Sequence, residues 1–287
     1  MYYAIIACVQ IIAETLPISS SSHVMLATLL LNATNAPISE AFDHFLHGPM
    51  IIIILVTFFP TWYPLTRRIY FSLTHKLTNA HLATKMLYTI IKKITLLTTI
   101  ALSSMPIAYL LKKHITIALK EAPLPISYAT LLIWGMSGNA LILLSLIACK
   151  RTPKTYKPCT PCKAWIIGLV QACAFLLPGI SRFGITYTTS RWLNLSPKRS
   201  FEFSFLIQLP LLIAAFCVHG IYNGIIYNES ATREILMAPY TLTSIIAATM
   251  LATLIFRKIY QFIVRQEVLW PFAFYLILPI SALIMLK

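Results

Sequence analysis

Two short stretches of this chain concentrate the side chains able to do acid–base or anion chemistry, and each lies where a proline interrupts an apolar run. The first reads Gln10-Ile-Ile-Ala-Glu14-Thr-Leu-Pro17-Ile-Ser19-Ser20-Ser21-Ser22-His23, the second Pro178-Gly179-Ile-Ser181-Arg182-Phe183-Gly184-Ile-Thr186. Gln10 and Glu14 are four apart and share one helical face. An ionisable group such as Glu14 inside an apolar run is costly, and faces a partner or water. The serines follow the proline where a second half-helix starts. There they cap the helix, whose free N–H groups favour an anion. His23 sits one turn from Ser19 and Ser20, an acid–base group beside hydroxyls.

Arg182 is the only Lys or Arg between Lys163 and Arg191. A central arginine costs about 2.5–3.5 kcal/mol on membrane-insertion scales, so it needs an anionic partner. Glu14 is one choice; a phosphate, whose oxygens arginine matches bidentately, is the sharper one. Gly179 and Gly184 allow tight turns and close approach of backbone to a ligand. Together the breaks offer hydroxyls, a carboxylate, an imidazole, a guanidinium and two helix N-termini. Phosphoryl transfer needs this set, because its catalysis is mostly positioning and electrostatics, and a serine near a histidine also suits covalent catalysis. The plainer readings are a structural Glu14–Arg182 ion pair, serines that only cap, and a polar core histidine.

The elements that hold these breaks follow from composition. The 287 residues are 58% hydrophobic and only 11% charged, with mean hydropathy +0.78. A soluble domain carries about 25% charged residues, so a water-soluble enzyme and a disordered chain are both excluded. The net charge of +15 does not signal nucleic acid, because the basic residues cluster between apolar runs as in membrane-protein loops. The expected fold is a single all-α polytopic membrane domain over 1–287, with six transmembrane helices near 41–62, 86–111, 126–149, 200–226, 238–256 and 268–286. The Pro-interrupted stretches 3–31 and 164–194 are expected as re-entrant helix-loop-helix hairpins. A half-helix such as 3–15 rises about 20 Å, short of a hydrocarbon core of about 30 Å.

With this topology one side receives fifteen basic residues, in groups from Arg67 to Lys85, Lys150 to Lys163, Arg191 to Arg199 and Arg257 to Arg265, and the other side five, Lys112, Lys113, Lys120, Arg233 and Lys287. The richer side is expected to be cytoplasmic. No Lys or Arg precedes Arg67, so no cleavable signal peptide is expected, and both termini are placed outside.

Residues 5–20 and 166–181 are identical at eight of sixteen positions without a gap, including Gln10/Gln171, Pro17/Pro178 and Ser20/Ser181, and the same offset pairs Phe42 with Phe203 and Pro49 with Pro210. Two halves follow, about 1–149 and 164–287, each a hairpin plus three spans. Three spans are an odd number, so the second half is inverted, the arrangement in which paired broken helices mark a binding site. Cys8, Cys149, Cys173 and Cys217 read as plain core residues. Cys159 and Cys162 lack the second pair a zinc site needs.

The motif Glu14-Thr-Leu-Pro-Ile-Ser-Ser-Ser-Ser-His23 resembles the Glu-x-x-Leu-Pro-x-Ser-Ser-x-x-His stretch of undecaprenyl-diphosphate phosphatases, the bacitracin-resistance family. Residues 178–186 resemble that family's Pro-Gly-x-Ser-Arg-Ser-x-x-Thr signature, and Glu202-Phe-Ser-Phe-Leu its later Glu-Phe-Ser-Phe-Leu segment. The resemblance implies hydrolysis of undecaprenyl diphosphate to undecaprenyl phosphate and inorganic phosphate in the bacterial inner membrane, recycling the carrier for peptidoglycan synthesis, with the site on the outer face. It implies six spans with two re-entrant elements in inverted repeat, and a link to Mg²⁺ or Ca²⁺. By the same resemblance Ser20, His23, Arg182 and Glu14 are catalytic, and Glu14 and Gln10 hold the metal. Ser19, Ser21, Gly179, Ser181 and Thr186 are expected to bind substrate. Gln10 stands where many members have glutamate, and Phe183 replaces the signature's second serine. A homodimer is compatible with the sequence. The rival class is an inverted-repeat transporter or flippase for a lipid phosphate or other anion, in which the same residues bind without cleaving.

Overall fold

In the computed structural model the chain is described at residues 1–31, 38–74, 80–121, 127–148, 156–227 and 230–286. Cys149, Lys76, Lys150, Arg151, Lys154 and Lys287, to which sequence reasoning gave roles, lie outside the described residues. Among the described residues every regular element is helical: α1 Tyr2–Glu14, α2 Ser20–Leu30, α3 Glu40–Phe45, α4 His47–Thr74, α5 Ala80–Leu102, α6 Met105–Glu121, α7 Tyr128–Ser145, α8 Pro161–Leu176, α9 Arg182–Trp192, α10 Pro197–Ala214, α11 Ser230–Met237, α12 Pro239–Gln266, α13 Trp270–Tyr275 and α14 Ile277–Met285. A π-helix, Ala215–Tyr227, continues α10.

Five helical stretches are long and apolar enough to cross a bilayer: Glu40–Thr61, Tyr88–Lys112, Tyr128–Ala148, Pro197–Ile226 and Pro239–Gln266. They correspond to the first five expected spans. The sixth, at 268–286, is the shorter Trp270–Met285, divided at Leu276 into α13 and α14. At about 1.5 Å per residue it falls short of a hydrocarbon core's width. Large apolar side chains including Ile52, Leu55, Phe59, Trp134, Leu141, Met250 and Leu254 point outward, a surface that water would not tolerate and lipid would cover.

The two Pro-interrupted stretches do break, for local reasons. α1 stops at Glu14, and Thr15 turns its hydroxyl back onto the Ile12 carbonyl at 2.7 Å. Pro17 lacks an N–H and disfavours helix in the residue before it. Ser19 then takes an extended conformation and its hydroxyl accepts the Ser22 N–H at 3.4 Å, starting α2. In the second half Leu177 is extended ahead of Pro178, Gly179 takes φ +93°, and the Ser181 hydroxyl accepts the Gly184 N–H at 3.1 Å to start α9. The cap equivalent to Ser181 is therefore Ser19. The gapless alignment pairs Ser181 with Ser20, and the local register shifts by one. Within the helices the alignment keeps its meaning, since Gln10 and Gln171 are both buried and each has a side-chain oxygen without a hydrogen-bond partner.

α1 packs on α12 and α2, α8 on α5, α6 and α9, and α7 on α9, α13, α14 and α2. Between them lies an aromatic core in which Phe58, Phe201, Phe205 and Phe256 meet. Cysteines depart from expectation. Cys173 and Cys217 are exposed on outward helix faces, where apolar character serves lipid as well as core, whereas Cys8 is half-buried against the core and reaches the Ser244 carbonyl. Arg191, counted among loop cations, is buried. It pairs with Glu267, donates to the Leu195 carbonyl at 2.7 Å and stacks on Tyr156.

Candidate active site

The two breaks lie against each other, and Asn139 of α7 joins them. Its amide donates to the Pro17 carbonyl at 3.2 Å, and its oxygen accepts the Ser181 N–H at 3.3 Å. Asn139 is fully buried, so it satisfies one orphaned backbone group from each break in a place water does not reach. Gly135, one turn earlier on α7, lets the helix press on the second break. A Cβ there would run into the Pro178 carbonyl, and one on Gly179 would lie 2.5 Å from the Leu132 carbonyl oxygen.

At the end of α1, Glu14 is nearly buried. Its Oε1 is 2.9 Å from His47 Nδ1, and Arg182 reaches the same oxygen at 3.6 Å. The carboxylate thus has two partners, one opening α4 and one opening α9. The ion pair weighed as the plain reading of Arg182 is present, yet the arginine side chain keeps 30% exposure and its guanidinium has donors left for a second anion. Glu14 therefore orients His47, and His23 is held by other groups.

His23 Nδ1 lies 2.6 Å from the Ser19 carbonyl, to which it donates, and Nε2 accepts the Tyr275 hydroxyl at 3.2 Å. The His23 and Tyr275 rings are stacked 5.7 Å apart. The Ser19 contact fixes the tautomer and leaves Nε2 as the basic nitrogen. Among the described residues no hydrogen bond joins His23 to Glu14 or Arg182.

The remaining expected residues divide by what holds them. Ser20, half-buried at the first turn of α2, makes no side-chain hydrogen bond among the described residues, so its hydroxyl is free for a ligand. Ser19 is the hub of a capping cluster with Ser21 at 3.1 Å and Ser22 at 3.0 Å. Ser181 caps α9, and Gly179 shapes the break. Thr186 is fully buried and donates to the Arg182 carbonyl at 2.7 Å, which binds it to its own helix. Gln10 is buried one turn before Glu14. Phe183 points into the aromatic core, 4.5 Å from Phe205, so its replacement of serine removes a polar group from packing space.

His47, Asn139 and Tyr275 were missed by sequence reasoning. Of these only His47 carried a visible signal, a histidine three residues after His44 at the head of an apolar run.

Comparison with known proteins identifies the family. A family model described as "Bacitracin resistance protein BacA" matches residues 3–280. An undecaprenyl-diphosphatase of Campylobacter concisus is 29% identical over 282 residues, covering 96% of this chain and 97% of its own. One of Verminephrobacter eiseniae is 27% identical over 280 residues, covering 95% and 89%. One of Salinibacter ruber is 25% identical over 217 residues, 76% of each chain. With both proline breaks, their serine caps and Arg182 inside the matched region, the chain belongs to the bacitracin resistance protein BacA family.

Proposed function

We propose that this membrane protein is a phosphatase that hydrolyses undecaprenyl diphosphate to undecaprenyl phosphate and inorganic phosphate, returning the lipid carrier to cell-wall synthesis. The observation that supports the reading is the joining of the two breaks through Asn139, which links the helix start that carries Ser20, with His23 one turn further on, to the one that carries Arg182. The terminal phosphate is bound by Arg182 and by N–H groups at those starts. Ser20 Oγ attacks the terminal phosphorus and displaces undecaprenyl phosphate, after which water hydrolyses the phosphoserine to release inorganic phosphate, or Ser20 positions a water that attacks directly. His23 Nε2 takes the proton once the Tyr275 hydroxyl yields, and returns it to the leaving lipid phosphate. Arg182 stabilises the charge on the equatorial oxygens.

The Gln10 side-chain oxygen, buried without a hydrogen-bond partner and one turn from Glu14, fits a divalent cation that takes oxygen ligands, Mg²⁺ or Ca²⁺. Gln10 and Glu14 would hold it, and it would supply positive charge beside the diphosphate. The protein sits in the bacterial inner membrane. α1–α2 and α8–α9 are two re-entrant hairpins of an inverted repeat, and Trp270–Met285 is a sixth span, its shortness met by local thinning of the bilayer. The termini and pocket face outward, and the lipid tail lies between spans.

The test is release of inorganic phosphate from undecaprenyl diphosphate by purified protein in detergent, where no compartments exist. Wild type releases phosphate, and Arg182→Ala loses on the order of 10²–10³-fold, as removal of other charge-stabilising donors does. Absence of release from any prenyl diphosphate by folded protein would move these residues to the anion site of a transporter.

A further inference from the structure

Beside Glu14 lies a second group of donors that the reaction above does not use. Asp43 and His44 at the end of α3 and His47 at the start of α4 each present one ligand atom, all within 4.8 Å of one another. His47 lies three residues after His44 and four after Asp43, which brings it over both despite the interruption at Leu46.

The three groups approach without bonding. Among the described residues, no hydrogen bond or ion pair joins Asp43 to either imidazole, and His44 Nδ1 is buried with no hydrogen-bond partner. His47 gives Nδ1 to Glu14, which leaves Nε2 as its open nitrogen. The buried His44 nitrogen, without a partner beside a carboxylate and a second imidazole, would be satisfied by a cation placed among the three.

The neighbouring backbone is also unusual. The π-helix Ala215–Tyr227 packs on α3. It comes close because position 220 is glycine, where a Cβ would lie 2.9 Å from the Phe45 Cα. This brings the His219 ring to 4.9 Å from that of His44, a further imidazole at the edge of the group. π-Helical segments are rare and concentrate at functional sites.

The donor chemistry selects the ion. Mg²⁺ and Ca²⁺ prefer all-oxygen shells, whereas two imidazoles and one carboxylate suit first-row transition metals. We propose that Asp43, His44 and His47 bind one transition-metal ion of the zinc or cobalt type. Three protein ligands leave an open position for water or a phosphate oxygen. The Glu14–His47 bond would then complete a carboxylate–histidine–metal chain, fixing the ring and raising the basicity of Nε2. The proposal uses donors other than the Gln10–Glu14 pair and does not rest on the hydrolytic reading.

The experiment uses full-length protein in detergent, stripped with chelator and titrated with Co²⁺ while visible d–d absorption is followed. One Co²⁺ per chain is expected, displaced by Zn²⁺ and retained against excess Mg²⁺ or Ca²⁺. Asp43→Asn and His44→Gln should each weaken binding at least about ten-fold, with helical circular dichroism unchanged. No stoichiometric absorption, displacement by Mg²⁺ or Ca²⁺, or unaltered affinity in the double variant overturns the site. Phosphate release measured on the same sample separates the two claims. Release without Co²⁺ binding removes the metal site alone, and binding without release removes the hydrolase reading alone.

Discussion

Replacing Asn139 with leucine tests whether the site exists only because the two breaks are held together. Leucine keeps the branched outline of asparagine but is bulkier, so it adds some overpacking, while both hydrogen bonds, at 3.2 and 3.3 Å, are lost. The Pro17 carbonyl and the Ser181 N–H are then left without these partners in a fully buried place. Each unsatisfied group costs about 1–3 kcal/mol, so the contact loses about 2–6 kcal/mol. The breaks recover part of that by moving apart until water enters, which displaces Ser20 and Arg182 from a common phosphate. At about 1.4 kcal/mol per tenfold, the lower figure alone predicts a fall in phosphate release on the order of 30-fold. Asn139→Asp keeps an acceptor for Ser181 and loses the donor to Pro17, and should fall between leucine and wild type. The assay is phosphate release at saturating undecaprenyl diphosphate, beside the thermal midpoint in the same detergent. Full turnover by Asn139→Leu at an unchanged midpoint would show that Asn139 does not couple the breaks.

Two other perturbations have expected outcomes. Gly135→Ala puts a methyl group into the Pro178 carbonyl, a backbone atom with no rotamer to escape to, so it should cost 1–3 kcal/mol or more and lower the thermal midpoint. Gly138→Ala, with nothing within 4 Å of the new atom, should hold or raise it, and equal midpoints for the two variants would contradict the packing. Tyr275→Phe removes the 3.2 Å bond to His23 and keeps the stacked ring, so turnover should change by no more than about tenfold. Tyr275→Ala also loses the stack and should fall further, and a Phe variant as damaged as Ala would mean the hydroxyl alone positions His23.

How much was legible beforehand depends on how far apart along the chain the interacting groups lie. The helical breaks, their serine caps and the left-handed glycine at 179 arise from interactions within about four residues, so Pro17, Ser19, Pro178 and Ser181 announced them. The apolar runs fixed five long helices in the same way, because length and hydropathy are local quantities. Even here the gapless alignment pairs Ser181 with Ser20 while the structural counterpart of its cap is Ser19, since helix ends obey hydrogen-bond geometry and identity does not. Ser20, His23 and Arg182 stood out as polar groups in apolar surroundings, where chance seldom leaves them.

Their partners did not stand out. His47 meets Glu14 across 33 residues, Asn139 meets Pro17 across 122, and Tyr275 meets His23 across 252. Phe183 reads in the sequence only as a departure from the family signature, and the packing of α9 on α10 turns it into the aromatic core. Thr186, expected to bind substrate, gives its hydroxyl proton to a carbonyl of its own helix. By itself the sequence determined where helices run, where they break and which residue types stand at the breaks. Only the tertiary structure decided which side chains face one another, because that depends on how helices distant in sequence rotate and pack, and no local pattern records it.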